Sequence, residues 1–292
     1  MEELKLQTPV EAGKSKVGIS LEDNIMVLGS CFADNIGQKM VEAGFDACVN
    51  PFGTLYNPVS VCNSVARLAS GVPFSEKDCV EMGAGAGLVC SFSHHTSFAR
   101  PTEGEFLADA NESLEKASSF WKKASKVVIT LGTAWCFEHL GTGEIVANCL
   151  KRNSQEFYRK RLSVKEVSIL LKNMVSRFPE KEFIFTVSPI RHFKDGAHGN
   201  QLSKGVLLLG LEETFASFPE RTDYFPAYEI VLDELRDYRF YAPDMVHPSV
   251  QAVDYLWSRF VDWSVPPADF QTLEENRHQL IAARHRPLHP AR

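Results

Sequence analysis

Three runs of consecutive apolar residues set the frame of the chain: Ile25-Met-Val-Leu28, Lys126-Val-Val-Ile-Thr-Leu131 and Glu182-Phe-Ile-Phe-Thr-Val187. A strand with one wet face alternates apolar and polar positions, so these unbroken runs predict strands covered on both faces. Phe45 to Val49 reads as a further strand and Tyr224 to Leu232 as a fifth. Helical stretches lie between them. One follows Gly29-Ser30 over 31–43, and a second opens at Asn57 as N-cap with Pro58 at the first helical position and runs to about Leu68. Others cover about 105–122, 201–218 and 248–263. Ser163-Val-Lys-Glu166 has the capping-box spacing, and Val167, Leu170, Leu171, Met174, Val175 and Phe178 form one apolar stripe behind it, which reads as core.

Two segments break this rhythm. The β-rich pieces 79–82 and 88–92 flank Gly83-Ala-Gly-Ala-Gly87, and Cys136 to Cys149 turns around Gly141-Thr-Gly143. The first glycine cluster lacks the strand-to-helix setting and the Lys-Ser/Thr of a phosphate loop, so it reads as a hairpin tip. Lys151-Arg152 and Arg159-Lys160-Arg161 read as a solvated helix face. Beyond Pro266, a short helix and the basic tail from Arg284 to Arg292 look peripheral. The expectation is one α/β domain over residues 1–264, with hairpin insertions near 76–97 and 136–149 and a peripheral segment over 265–292. Alternating strands and helices predict a three-layer α/β/α arrangement around a mostly parallel sheet of about five strands. Ligands bind such sheets at the carboxyl ends of the strands, where Ser30, Gly53, Gly132-Thr133 and Ser188 should converge.

Composition narrows the partner. With 44% hydrophobic and 23% charged residues the chain is of the ordinary soluble kind, and a net charge of −6 provides no basic field for nucleic acid or an anionic membrane. A small molecule is the expected partner. The N-terminal residues lack the apolar core of a secretion signal and no 18-residue apolar run occurs, so a cytoplasmic setting is expected. Seven cysteines without a CxxC pair fit neither a disulfide framework nor a zinc knuckle, and no metal or other cofactor is implied.

Ser30 stands between a buried strand and a helix start, where unpaired amide donors favour a developing anion; the same position suits a plain N-cap. A hydroxyl nucleophile needs a base, and the base an orienting group. Asp244-Met-Val-His247 offers both, with the carboxylate close enough to hold the imidazole Nδ1–H while Nε2 faces Ser30. Cys31 is the intrinsically better nucleophile, but its place one residue into the helix points it along the helix start. His94, His95 and Ser97 after the first hairpin, and Arg191 with His192 after the strand ending at Val187, are candidates for lining a pocket.

These residues carry a resemblance. Val27-Leu-Gly-Ser-Cys-Phe-Ala33 with Asn35-Ile-Gly37 resembles the signature of the GSCFA family, and the likeness extends through Asn50-Pro-Phe-Gly-Thr-Leu-Tyr-Asn-Pro58, Leu131-Gly-Thr-Ala-Trp135, Val146-Ala-Asn-Cys149, Ser188-Pro-Ile-Arg-His192 and Asp244-Met-Val-His247. The family in turn resembles the SGNH (GDSL-like) hydrolases, which have flavodoxin-like α/β/α domains and cleave or transfer acyl groups of oxygen esters. The resemblance implies Ser30 as nucleophile, His247 with Asp244 as base pair, and Gly53 and the Ser30 amide as oxyanion donors; the Cys31 amide joins them by its place at the helix start. The expected substrate is a small-molecule or glycan ester, with O-acetyl or another short acyl group on a carbohydrate-like molecule. The alternatives are an O-acyltransferase using the same residues or a catalytically weak glycan-binding module. One element departs from the pattern: Gly132-Thr-Ala-Trp135 stands where the superfamily has Gly-x-Asn-Asp, leaving Asn148, Asn57 or the Thr133 hydroxyl to replace the missing Asn.

Overall fold

The structure, a computed structural model, describes residues 7–284. The first half of the chain runs β1 (Asn24–Gly29), α1 (Cys31–Ala43), β2 (Asp46–Val49), α2 (Pro58–Ser70), β3 (Val80–Glu81), β4 (Val89–Cys90) and α3 (Glu103–Lys123). It continues with β5 (Lys126–Leu131), β6 (Trp135–His139), β7 (Glu144–Val146), β8 (Phe157–Arg161), α4 (Val164–Arg177) and β9 (Glu182–Val187). The last elements are α5 (Gly196–Ser217), β10 (Thr222–Tyr224), α6 (Ala227–Glu229), α7 (Val250–Ser264) and α8 (Phe270–Arg284).

Five strands form one parallel sheet in the order β10-β9-β5-β1-β2. Counted along the chain this is the flavodoxin-like order 2-1-3-4-5, and its direction of winding reverses between β1 and β5, the place at which sheets of this kind bind ligands, outside the carboxyl ends of the strands. The three apolar runs are its central strands β1, β5 and β9, each buried from the second residue onward. The two-residue period then divides them between two layers. Met26, Leu28, Val127, Ile129, Phe183 and Phe185 pack with α2, α3, α4 and α5. Ile25, Val27, Val128 and Ile184 pack with α1 and α7 on the other face.

The helix starts follow the sequence signals. Asn57 accepts from Ser60 N–H, Thr102 with Glu105 and Ser163 with Glu166 form reciprocal capping boxes, and Ser249 caps α7. The first insertion is the two-stranded β3–β4 hairpin. The second is a hairpin of β6 and β7 to which β8 adds on the other edge of β6.

Three expectations are corrected. The fifth strand stops at Tyr224, because Pro226 has no N–H to donate to a ladder; the apolar residues after it wind into α6 and a π-helical turn over Ile230–Glu234. Arg159 to Arg161 lie on β8 rather than a helix. Arg159 is held by Asp195 through two hydrogen bonds and lies over the rings of Trp135 and Phe137. Lys151 and Arg152 sit in a turn, Lys151 with a φ of +55°. The helix beyond Pro266 is four turns long rather than short, and Asn276 Nδ2 ties it to the Ala43 carbonyl at the end of α1 at 2.8 Å. All but the first residue of the basic tail falls outside the described residues. No helix among the described residues is long and apolar enough to cross a membrane.

Candidate active site

At the carboxyl end of β1 the chain must turn at once into α1. Gly29 makes this possible: its φ is +136°, and a Cβ there would stand 2.1 Å from the Thr130 carbonyl oxygen on β5. Ser30 follows as N-cap of α1, only 1% exposed, with Oγ accepting from Phe32 N–H at 3.3 Å. Its own N–H donates to Thr130 O at 3.2 Å. The Cys31 N–H, next in line, has no acceptor among the described residues, so it is an open donor at a helix N-terminus. The Cys31 thiol instead meets the Tyr56 hydroxyl at 3.3 Å, which also bonds Thr54 Oγ1 at 3.1 Å. Burial, aided by that thiol, pushes the Tyr56 hydroxyl up to about 12.

The loop after β2 closes around Gly53. Its N–H donates to Asn50 O at 2.7 Å, and its φ of +80° brings it so near His95 that an added Cβ would lie 2.3 Å from that residue's own Cβ. His95 is turned to Ser97, with Nδ1 at 3.0 Å from Oγ. Leu55 N–H donates to Gly29 O at 2.8 Å, which fastens this loop to the end of β1. The loop after β5 lies against both. Gly132 and Thr133 each donate N–H to Tyr56 O at 2.9 Å, and a Cβ on Gly132 would stand 3.5 Å from Ser30 Cβ. Thr133 Oγ1 bonds Ser203 Oγ at 2.9 Å and accepts from Trp135 N–H. From α5, the fully buried Lys204 donates to Gly132 O and Ser188 O, both at 2.7 Å, and joins the loops after β5 and β9. Burial pushes its ammonium down to about 7.

The fourth loop precedes α7. Tyr241 and Pro248 form an antiparallel bridge, and Ala242 N–H donates to His247 O at 2.8 Å. Inside this turn Asp244 Oδ1 accepts from the N–H groups of Val246 (2.9 Å) and His247 (3.0 Å), while Oδ2 stands 2.6 Å from His247 Nδ1. Those donors, the backbone pair first, hold the Asp244 carboxyl down to about 2, so it is an anion throughout the physiological range. A carboxylate partner fixes the proton on Nδ1 and leaves Nε2 as an acceptor. The pair is about half exposed, at 44% for His247 and 50% for Asp244. Arg191 braces the turn: its N–H donates to Val246 O at 3.3 Å, its guanidinium donates to Met245 O, and it lies 4.1 Å from the Tyr241 ring centre. His192 meets Tyr56 edge-on at 6.3 Å. Burial, then the charges of Lys204 and His247, pushes His192 down to about 4, and its Nε2 is buried without a partner among the described residues.

Ser30, Gly53, Thr133, Arg191, His192, Asp244 and His247 therefore share the carboxyl edge of the sheet. No hydrogen bond joins Ser30 to His247 among the described residues. The replacements for the missing Asn are otherwise engaged. Asn57 spends its carbonyl on Ser60 N–H and its amide on Ser60 Oγ, and Asn148 caps Leu150 N–H at 2.8 Å in the second insertion. His94 is in the core, within a ring of Phe52, Phe74, Phe98 and Phe106. Sequence reasoning missed Asp34, Asn50, Tyr56 and Lys204. Asn50 and Tyr56 entered only as part of the motif Asn50–Pro58, with no role given to either, and nothing local marks Lys204, whose partners are 72 and 16 residues away.

Among known families, the model of the GSCFA family matches residues 24–260, from the first residue of β1 into α7. No curated protein matches the chain.

Proposed function

This chain belongs to the GSCFA family, and on that premise we propose that it is a serine acyl hydrolase acting on an oxygen ester, with Ser30 as nucleophile, His247 as base and Asp244 as its orienting anion. The observation that carries this reading is the 2.6 Å contact between Asp244 and His247, in a turn braced by Arg191 beyond the carboxyl end of β9, on the sheet edge that also carries Ser30. Ser30 Oγ attacks the acyl carbon as His247 Nε2 takes its proton, and Asp244 stabilises the imidazolium that forms. The new oxyanion lies beside the open Cys31 N–H. As the carbon–oxygen bond breaks, His247 returns the proton to the leaving alcohol. Water then repeats the sequence on the acyl-enzyme, releasing the acid and restoring Ser30. A second alcohol in place of water would make the same residues an acyltransferase. The substrate we favour is a short acyl ester such as O-acetyl on a carbohydrate-like molecule; the family resemblance supports the oxygen ester.

A fluorophosphonate probe tests the first step. The expected result is one adduct, on Ser30, lost in Ser30→Ala; an adduct that survives this substitution overturns the reading.

A ligand-binding module is the second reading, and one observation favours it. The Ser30 and Gly53 amides donate within the fold and Asn57 caps a helix, so Cys31 N–H is the open donor of the set. Losing one oxyanion donor costs about 10²–10³ in rate. Equal hydrolysis of a short p-nitrophenyl ester by wild type and His247→Ala would favour the binding module.

A further inference from the structure

Behind the turn that carries Ser30 lies a polar residue with every hydrogen-bonding group engaged. Asn50 is 8% exposed and has a φ of +40°, a left-handed conformation that Asn tolerates better than most side chains. Its backbone N–H donates to Val27 O at 2.9 Å, and its carbonyl accepts from Gly53 N–H at 2.7 Å. Its side-chain Oδ1 accepts from Gly29 N–H at 2.8 Å, and Nδ2 donates to Asp34 Oδ1 at 2.5 Å. Asp34 lies in the first turn of α1, the turn that presents the open Cys31 N–H.

We propose that Asn50 is the positioning residue of the nucleophile turn: its amide fixes the Gly29 peptide on one side and the first turn of α1 on the other, and so sets Ser30 Oγ relative to the Cys31 N–H. This rests on Ser30 being the nucleophile. The two side-chain bonds need an acceptor and a donor on one planar group, which Asn supplies. Asp at this place keeps the acceptor toward Gly29 but presents an anion to the Asp34 carboxylate. Exchanging both residues restores a donor–acceptor pair, since an Asn at position 34 can donate to an Asp at position 50. A misplacement of about 1 Å in a reacting group costs about 10²-fold in rate with little effect on binding.

The experiment compares fluorophosphonate labelling rates and p-nitrophenyl acetate kinetics for wild type, Asn50→Asp and the double variant Asp34→Asn/Asn50→Asp. The expected result is a loss of about tenfold or more in labelling rate and kcat for Asn50→Asp, KM within about twofold, and recovery to within about threefold of wild type in the double variant. If Asn50→Asp does not fold, Asn50→Gly, which accepts the left-handed backbone and lacks the amide, must show the same loss of kcat. Wild-type labelling rates in the Asn50 variants overturn the proposal, as does a slow Asn50→Asp that the double variant fails to rescue. A wild-type protein that takes no label on Ser30 is a different result, and it overturns the hydrolase reading itself.

Discussion

His94 has no exposed surface, and its imidazole is held by Ser91 Oγ at 2.6 Å through Nδ1 while Nε2 has no partner among the described residues. Burial pushes it down to about 3 from 6.5. Below pH 6.5 the unfolded chain takes up a proton that the folded one refuses, so stability contributed here is present above that pH and lost as pH falls toward 3. His94→Phe should cost about 1–2 kcal/mol at neutral pH, because the buried Ser91 hydroxyl loses the imidazole and keeps only the Ser93 N–H. The gap from wild type should then shrink on acidification, as urea unfolding at several pH values would reveal; a constant gap contradicts the account. The sequence presents His94 and His95 as equivalent neighbours after a hairpin. Only the five-membered ring's aromatic surroundings, drawn from Phe52 to Phe106, separate a core residue from one beside Gly53. The pairing of Asp244 with His247 was legible because three residues of spacing and a turn suffice to close it.

At the scale of elements, β1 and α1 meet through a single residue. Gly29→Ala places a carbon against backbone of β5, which cannot step aside, whereas Gly37→Ala presses on the Val49 side chain across α1 and β2. Gly29→Ala should therefore destabilise by about 3 kcal/mol or more and Gly37→Ala by less, a difference that thermal melts of the two variants would read. Equal melts would mean that β1 and β5 part more easily than their register implies. Strands β1, β5 and β9 were legible because burial on both faces leaves an unbroken apolar run. The run from Tyr224 was misread for the same reason: a buried strand and a buried helical turn look alike over a few residues, and Pro226 decided between them. Strand β8 was hidden because its arginines pack on rings supplied by β6, a contact no local pattern announces.

Across the whole molecule, the site is a meeting of four loops, and Lys204 is the group that ties two of them at their carbonyls. Its folded-state value near 7 lies below the 10.5 of the free side chain, so between these values the unfolded chain alone holds the proton and stability rises with pH. Lys204→Met removes that rise and leaves two buried carbonyls unpaired, at a cost of about 1–3 kcal/mol near pH 7. The gap from wild type should widen toward about pH 9, as urea unfolding at both pH values would register; a gap that narrows contradicts the assignment. The family signature singled out Ser30, Asp244 and His247, while Asn50 and Lys204 act through partners on other elements, a role that no local pattern announces. Whether Ser30 carries the acyl group during turnover is read by mass analysis of the protein quenched with acid while it hydrolyses p-nitrophenyl acetate. An acetyl group on the peptide containing Ser30 and Cys31, lost in Ser30→Ala and kept in Cys31→Ala, is the predicted result. Turnover with the acetyl group on Cys31, or with no covalent acetyl at all, would contradict it.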